Sequence, residues 1–80
     1  MSSDAEAALS VLSGTGRGMK ARHVANRLRW FRDGDPPRSK RVNARRAEVA
    51  LEELVRMGLA AERSSADGTK YRVPSARVKR

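Results

Sequence analysis

Apolar residues recur at helical spacing near the start of the chain. They are Ala5, Ala8, Leu9 and Leu12. Residues three and four apart share one side of a helix, so this pattern predicts a short helix over residues 4–13. Ser3 or Asp4 is suited to cap its start, and Gly14 is suited to follow its last turn.

A second stripe of apolar residues follows the loop "TGRG" and predicts a helix over about residues 20–31. Its members are Ala21, Val24, Ala25, Leu28 and Phe31. The opposite side of this helix is polar and carries Arg22, Asn26 and Arg29. The next residues, "RDGDPPR", join a turn signal to two prolines and therefore predict a loop.

A third helix is predicted to begin between Ser39 and Asn43, either of which is suited to cap it. Its buried stripe consists of Ala47, Ala50, Leu51 and Leu54. Gly58 is suited to follow the end of this helix because glycine readily adopts the left-handed backbone conformation found there.

The last part of the chain changes from a helical to an alternating period. "LAAER" and "TKYRV" predict two strands joined by a turn at Asp67-Gly68. In the second strand a buried face alternates with a cationic face formed by Lys70 and Arg72. Three helices and a two-stranded hairpin predict an α+β domain over residues 1–74, followed by a basic tail over residues 75–80.

Positive charge is concentrated in two parts of this 80-residue chain, which carries a net charge of +9 and has a pI of about 11.5. Residues 15–46 carry +9 and residues 59–80 carry +4, whereas residues 1–14 and 47–58 carry −2 each. Such segregation produces a positive field on part of the surface, as in nucleic-acid-binding domains. A charge excess that serves only solubility would not require this clustering.

The sequence offers little support for catalysis. A chain of this length forms one small domain, and it contains no cysteine and one histidine, His23. Neither a Ser-His-acid nor a Cys-His arrangement is therefore supported. Glu48, Glu52 and Glu53 are interpreted as surface helix residues, and "GTGRG" lacks the features of a phosphate-binding P-loop. We predict a protein that is not an enzyme and that holds no cofactor or metal.

The sequence also predicts an intracellular protein. No apolar run approaches the roughly 20 residues needed to span a bilayer. The N-terminus, "MSSDAEAAL", is acidic and lacks the basic region of a signal peptide. We expect a cytoplasmic, nucleoid-associated protein with no membrane partner.

The order of predicted elements and two sequence segments resemble the winged helix-turn-helix superfamily. "MKARHVANRL" resembles its second helix, and "ALEELVRMGLAAERSSADGTKYRV" resembles the end of its third helix and its wing. "ARHVANRLRWF" followed by "ARRAEVALEELVRMGLA" is also similar to winged-helix segments at the C-terminal ends of primase–helicase-like replication proteins of plasmids and phages. That similarity implies a larger parent polypeptide. The connection over residues 32–42 departs from the tight turn of ordinary regulators of this superfamily.

The resemblance implies that the N-terminal part of the third helix enters the major groove of double-stranded DNA. Arginine pairs bidentately with guanine and asparagine with adenine, so the candidate base contacts are Asn43, Arg45 and Arg46. Cations in the first turn oppose the helix dipole, which favours a functional interpretation over a merely solvated surface. The candidate phosphate contacts are Lys20, Arg22, Arg27, Arg29, Lys40, Arg41, Arg63, Lys70 and Arg72, to which the tail adds Arg77, Lys79 and Arg80.

Two aromatic residues precede the proline-rich loop. Phe31 continues the apolar stripe of the second helix and is predicted to be part of the core. Trp30 is predicted either to cover the edge of the core or to pack against the loop. A single remaining aromatic residue does not make a base-stacking platform of the kind that single-strand-binding proteins use.

The function expected from these patterns is double-stranded DNA binding. It would serve either replication or mobile-element machinery, or transcriptional regulation. The chain has no obvious effector-binding domain or dimerisation helix, which favours the first context. The alternative is a winged-helix module that docks an acidic protein partner. The oligomeric state and the preferred DNA sequence stay open.

Overall fold

The computed structural model describes residues 1–15, 17–32 and 34–74. Within these residues the fold is α+β, with three helices and a three-stranded antiparallel sheet. The elements in chain order are α1 (Ser3–Thr15), β1 (Met19–Lys20), α2 (Ala21–Arg27), α3 (Pro37–Arg56), β2 (Ala61–Ser65) and β3 (Gly68–Arg72). The central helix α3 packs against both α1 and α2.

The predicted two-stranded hairpin is part of a larger sheet with the strand order β1-β3-β2. Met19 and Lys20 of β1 lie opposite Tyr71 and Lys70 of β3. The prediction missed β1 because two residues are too few to show an alternating pattern. The hairpin turn itself is confirmed, although its two loop residues are Ala66-Asp67, one position earlier than predicted.

Helix α1 is longer at both ends than the sequence predicted. The hydroxyl of Ser2 accepts a hydrogen bond from the backbone N–H of Ala5 at 3.1 Å, so Ser2 caps the helix. Gly14 lies inside the helix and does not end it. At the end, the Thr15 hydroxyl donates to the Leu12 carbonyl at 3.3 Å and accepts from the Arg17 N–H at 3.2 Å.

Helix α2 ends at Arg27, four residues before the predicted end. Arg29 follows it in the left-handed conformation, with φ of 62°. The N–H of Trp30 donates to the carbonyl of Ala25, and the N–H of Arg29 to that of Asn26, both at 2.9 Å. These two bonds form a Schellman motif. The sequence did not reveal it because arginine occupies the position where glycine is usual.

Helix α3 ends in the same motif, with Gly58 at φ of 77°, as predicted. Its start was predicted too late, because the helix begins at Pro37 and not between Ser39 and Asn43. Proline is well suited to the first helical position, where its fixed φ fits the helix and its missing N–H would have no partner. Lys40 and Arg41 therefore lie within the helix.

The predicted apolar stripes form the core. Ala47, Ala50, Leu51 and Leu54 of α3 are all buried, and Tyr71 of β3 is buried with them at 3% exposure. A smaller cluster of Ala25, Phe31 and Ala47 is covered by half-buried Trp30. Among the described residues, no helix is long and apolar enough to cross a membrane.

Candidate nucleic-acid interface

A cleft lies between α3, the start of α2 and the sheet, with a volume of about 380 Å³. We call it the α3 cleft. It is lined by Lys20, Ala21, Arg22, Arg41, Ala44, Arg45, Glu48, Thr69 and Tyr71. A neighbouring depression of about 470 Å³ continues it toward the start of α3 and adds His23, Asn26 and Lys40. The two share Arg22, Arg41 and Ala44, so they form one continuous concave surface.

Cations dominate the lining of the α3 cleft. Four of its nine lining residues are lysine or arginine, and one lining residue, Glu48, is acidic. Arg45 forms an ion pair with Glu48. Among the described residues, Lys20, Arg22 and Arg41 have no carboxylate within ion-pair distance. Unpaired cations in a cleft focus a positive potential at its opening, which favours an anionic ligand.

One face of α3 presents the central side chains of this cleft. Ala44, Arg45 and Glu48 lie three, four and seven residues after Arg41, so all four share one side of the helix. The side chain of Ala44 is a single methyl group, so a ligand can approach the helix backbone beside the two arginines. The cleft therefore has long charged side chains beside a position with a short side chain.

The structure places two of the three predicted base contacts outside the α3 cleft. Asn43 is half-buried, and its side-chain amide donates a hydrogen bond to the Ser39 carbonyl at 3.0 Å. That bond lies within α3 itself and occupies one of the amide's donors. Of the three predicted base contacts, Arg45 alone lines the cleft.

Arg46 is held on the side of α3 that faces α1. Its Nε and one terminal nitrogen each donate to an Asp4 carboxylate oxygen at 2.8 Å. Its guanidinium carbon also lies 4.0 Å from the centre of the Trp30 ring. The hydrogen bond from Arg46 lowers the pKa of Asp4, and the same bond raises the pKa of Arg46. Arg46 thus joins α1, α3 and the segment after α2.

A second contact ties α1 to α3. The backbone N–H and the hydroxyl of Ser2 both donate to the Glu53 carboxylate at 2.9 Å. These bonds lower the pKa of Glu53. The sequence interpretation treated Glu53 as an ordinary exposed acid, because a bond between residues this far apart in the chain leaves no local pattern.

Three cations lie side by side on the outer face of the sheet. Lys70 of the central strand is directly opposite Lys20 on one side and Arg63 on the other. Arg63, Lys70 and Arg72 form what we call the outer sheet face, whereas Lys20, on the edge strand, also lines the α3 cleft. Gly18, Arg63, Ser65, Lys70 and Arg72 line a depression of about 400 Å³ there. A Cβ atom on Gly18 would lie 3.2 Å from the Lys70 Cβ, so glycine allows the Lys70 stem to lie against the loop.

The inner face of the sheet has a different character. Tyr71 is buried there, and Glu62 lies opposite it in β2. Burial raises the pKa of the Tyr71 hydroxyl, and the nearby carboxylates of Glu48 and Glu62 raise it further. The strand β3 therefore separates a buried aromatic face from a cationic solvent face, as the alternation in the sequence predicted.

The other predicted phosphate contacts are distributed unevenly. Arg27 and Arg29 are exposed near the end of α2 but line neither the α3 cleft nor the outer sheet face. Lys40 is half-buried beside the cleft. The predicted tail contacts Arg77, Lys79 and Arg80 lie outside the described residues.

The sequence interpretation did not recognise that Arg41 and Arg45 line one cleft together, about one helical turn apart and beside Ala44. The usable signal was Pro37, because a helix that begins there carries Arg41 on the same side as Ala44 and Arg45. Thr69 was also missed as a cleft residue.

No protein-family model matches the chain, and no curated protein or solved structure matches it significantly.

Proposed function

We propose that the protein is a winged helix-turn-helix domain that binds double-stranded DNA through the α3 cleft. The observation that carries the proposal is the convergence of unpaired cations from β1, α2 and α3 on one concave surface. The order of helices and strands is compatible with that superfamily. DNA is the expected ligand because a duplex supplies a dense, regular array of negative charge.

In this arrangement the N-terminal half of α3 enters the major groove. The groove is about 12 Å wide and admits one helix. Arg41 and Arg45, about one helical turn apart on the same side of α3, would reach base edges, since arginine pairs bidentately with guanine. Arg45 must leave Glu48 to do so. This assignment replaces Asn43 and Arg46, which do not line the cleft and whose side chains bond to Ser39 and Asp4.

Phosphate contacts would come from cations around the cleft. Lys20 and Arg22 lie at the start of α2, and Lys40 lies beside the cleft on α3. Such contacts set the position of the protein on the duplex without reading its sequence. The carboxylates of Asp4 and Glu53 are bonded between α1 and α3, away from the cleft, so they do not face the duplex.

The first test is a salt titration of duplex binding, followed by fluorescence anisotropy. Binding through six to ten phosphates predicts an affinity loss of about 10³–10⁵ between 50 and 200 mM salt. A protein without measurable duplex binding at low salt would overturn the proposal. A module for an acidic protein partner would then take its place.

The second test separates base readout from phosphate contact. A preferred duplex is first selected from a random pool. Arg41→Ala and Arg45→Ala should then each cost about 1–3 kcal/mol on the preferred duplex and less on a random one. Arg46→Ala is the control, because its guanidinium is bound to Asp4, and it should leave the ratio of the two affinities unchanged. Equal losses on both duplexes would make Arg41 and Arg45 phosphate contacts.

We propose two biological contexts for this DNA binding. Replication or mobile-element machinery and transcriptional regulation both use such domains. Selection from the random pool also bears on this choice, because a regulator requires a defined site. A domain that enriches no sequence would favour a role in which another part of the machinery supplies specificity.

A further inference from the structure

We propose that the outer sheet face binds the phosphate backbone of a second DNA duplex, so that one domain bridges two duplex segments. This inference rests on the proposed binding of a first duplex in the α3 cleft. It assigns a partner to Arg63, Lys70 and Arg72, which the cleft does not use.

The two surfaces lie on opposite sides of β3. Successive side chains of a strand point to opposite faces of the sheet. Thr69 and Tyr71 line the α3 cleft, whereas Lys70 and Arg72 line the depression on the outer sheet face. DNA is stiff over a persistence length of about 150 base pairs. A straight duplex seated in the cleft therefore lies on the Thr69 and Tyr71 side of the sheet, where Lys20 on the edge strand is the cation of the row that it also meets.

The register of the strands makes the outer sheet face unfavourable without an anion. Like charges directly opposite one another on neighbouring strands destabilise a sheet. Lys70 has such a neighbour on each side, Lys20 and Arg63. Among the described residues, no carboxylate forms an ion pair with any of these three cations. An external polyanion would remove this repulsion.

The spacing and chemistry of the surface fit a DNA backbone. Neighbouring strands lie about 4.8 Å apart, so Arg63 and Lys70 present two cations at that spacing. One DNA strand presents a phosphate about every 3.4 Å along the helix axis, and successive phosphates also rotate about it, so this surface faces about two phosphates. The depression is lined by cations, glycine and serine and offers no aromatic or large apolar anchor. Protein partners usually depend on such anchors.

The test is a bridging assay with an immobilised duplex and a second, fluorescent duplex in solution. The wild-type protein should capture the fluorescent duplex on the immobilised one. Arg63→Gln should reduce this capture several-fold and lower the salt slope of the second binding step by about 0.9. Arg56→Gln removes the same charge near the end of α3, outside both surfaces, and should leave capture unchanged.

The number of duplexes bound per protein is measured as well. With excess duplex, sedimentation should show one protein with two duplexes. Binding of one duplex without capture of the second would overturn this inference and leave the proposed function standing. Absence of any duplex binding would overturn both. Capture through a protein dimer, or stronger displacement by polyglutamate than by duplex at equal charge, would also overturn it.

A further variant is tested both for stability and for capture of the second duplex. Lys70→Gln keeps the side-chain stem beside Gly18 and removes the central charge of the row. It should raise the melting temperature of the free protein and reduce capture of the second duplex. A row of charges that serves only solvation would also raise the melting temperature but would leave capture unchanged, and that result would overturn the inference.

Discussion

Replacing Arg29 with glycine should stabilise the protein, because Arg29 adopts a backbone conformation that favours glycine. Its φ is 62°, in the left-handed region, where it closes the Schellman motif after α2. Gly58 holds the equivalent position after α3, with φ of 77°. The chain thus contains the same helix end twice, once with glycine and once with a residue that carries a Cβ atom.

The size of the effect follows from two opposing contributions. The left-handed conformation costs a residue with a Cβ atom about 1–2 kcal/mol. Glycine loses about 0.5–1 kcal/mol more conformational entropy on folding than alanine does. The difference predicts that Arg29→Gly raises the free energy of unfolding by about 0.5–1 kcal/mol. For a domain of this size, such a change raises the melting temperature by about 2–8 °C.

The assay is thermal and urea unfolding followed by circular dichroism. Arg29→Ala is the matched control, because it removes the same charge and side chain but keeps the Cβ atom. It should give no comparable gain. The reciprocal variant Gly58→Ala should destabilise the protein by about 0.5–1 kcal/mol, the same balance with the opposite sign. An added Cβ there meets no atom within 4 Å, so its cost is conformational alone. Equal stability of Arg29→Gly and Arg29→Ala would refute this reasoning.

Two further predictions concern charges. Glu48→Gln should raise the affinity for a random duplex roughly fivefold, because it removes a carboxylate that faces the proposed duplex. The repulsion between two close unit charges in water is about 1 kcal/mol, which corresponds to that factor. Fluorescence anisotropy measures the affinity, and an equal gain for Glu52→Gln, outside the α3 cleft, would contradict the prediction. Acid should weaken the fold, because the folded-state pKa of Asp4 and that of Glu53 lie below their ordinary values. The stabilisation that the two carboxylates give the folded state is present above their ordinary pKa values of 3.8 and 4.5. It is lost as pH falls through the lowered pKa values of the folded state. Urea unfolding between pH 7 and pH 3 tests this, and the Asp4→Asn variant should show a smaller loss of stability than the wild type.

The apolar stripes were predictable because helix periodicity is a local property. Ala47, Leu51 and Leu54 recur at the spacing that places them on one side of a helix, and all three are buried. The alternation in β3 was predictable for the same reason. Tyr71 is buried and Lys70 exposed, as a period of two requires.

Element boundaries were less predictable where a residue unusual for its position ends or begins a helix. Arg29 occupies a left-handed position that sequence rules assign to glycine, so α2 was predicted to be too long. Gly14 has the residue type of a helix end but lies inside α1, where packing against α3 holds the helix together. Strand β1 exists only because Met19 and Lys20 pair with β3.

The sequence by itself determined the basic character of the protein, its three amphipathic helices and its hairpin, because these depend on composition and on short-range spacing. Only the tertiary structure decided which arginines line the α3 cleft. Arg45 and Arg46 are neighbours in the chain, yet one lines the α3 cleft and the other is bound to Asp4. That difference arises because successive helix residues point about 100° apart, and the packing of α1 and α2 determines what each direction meets.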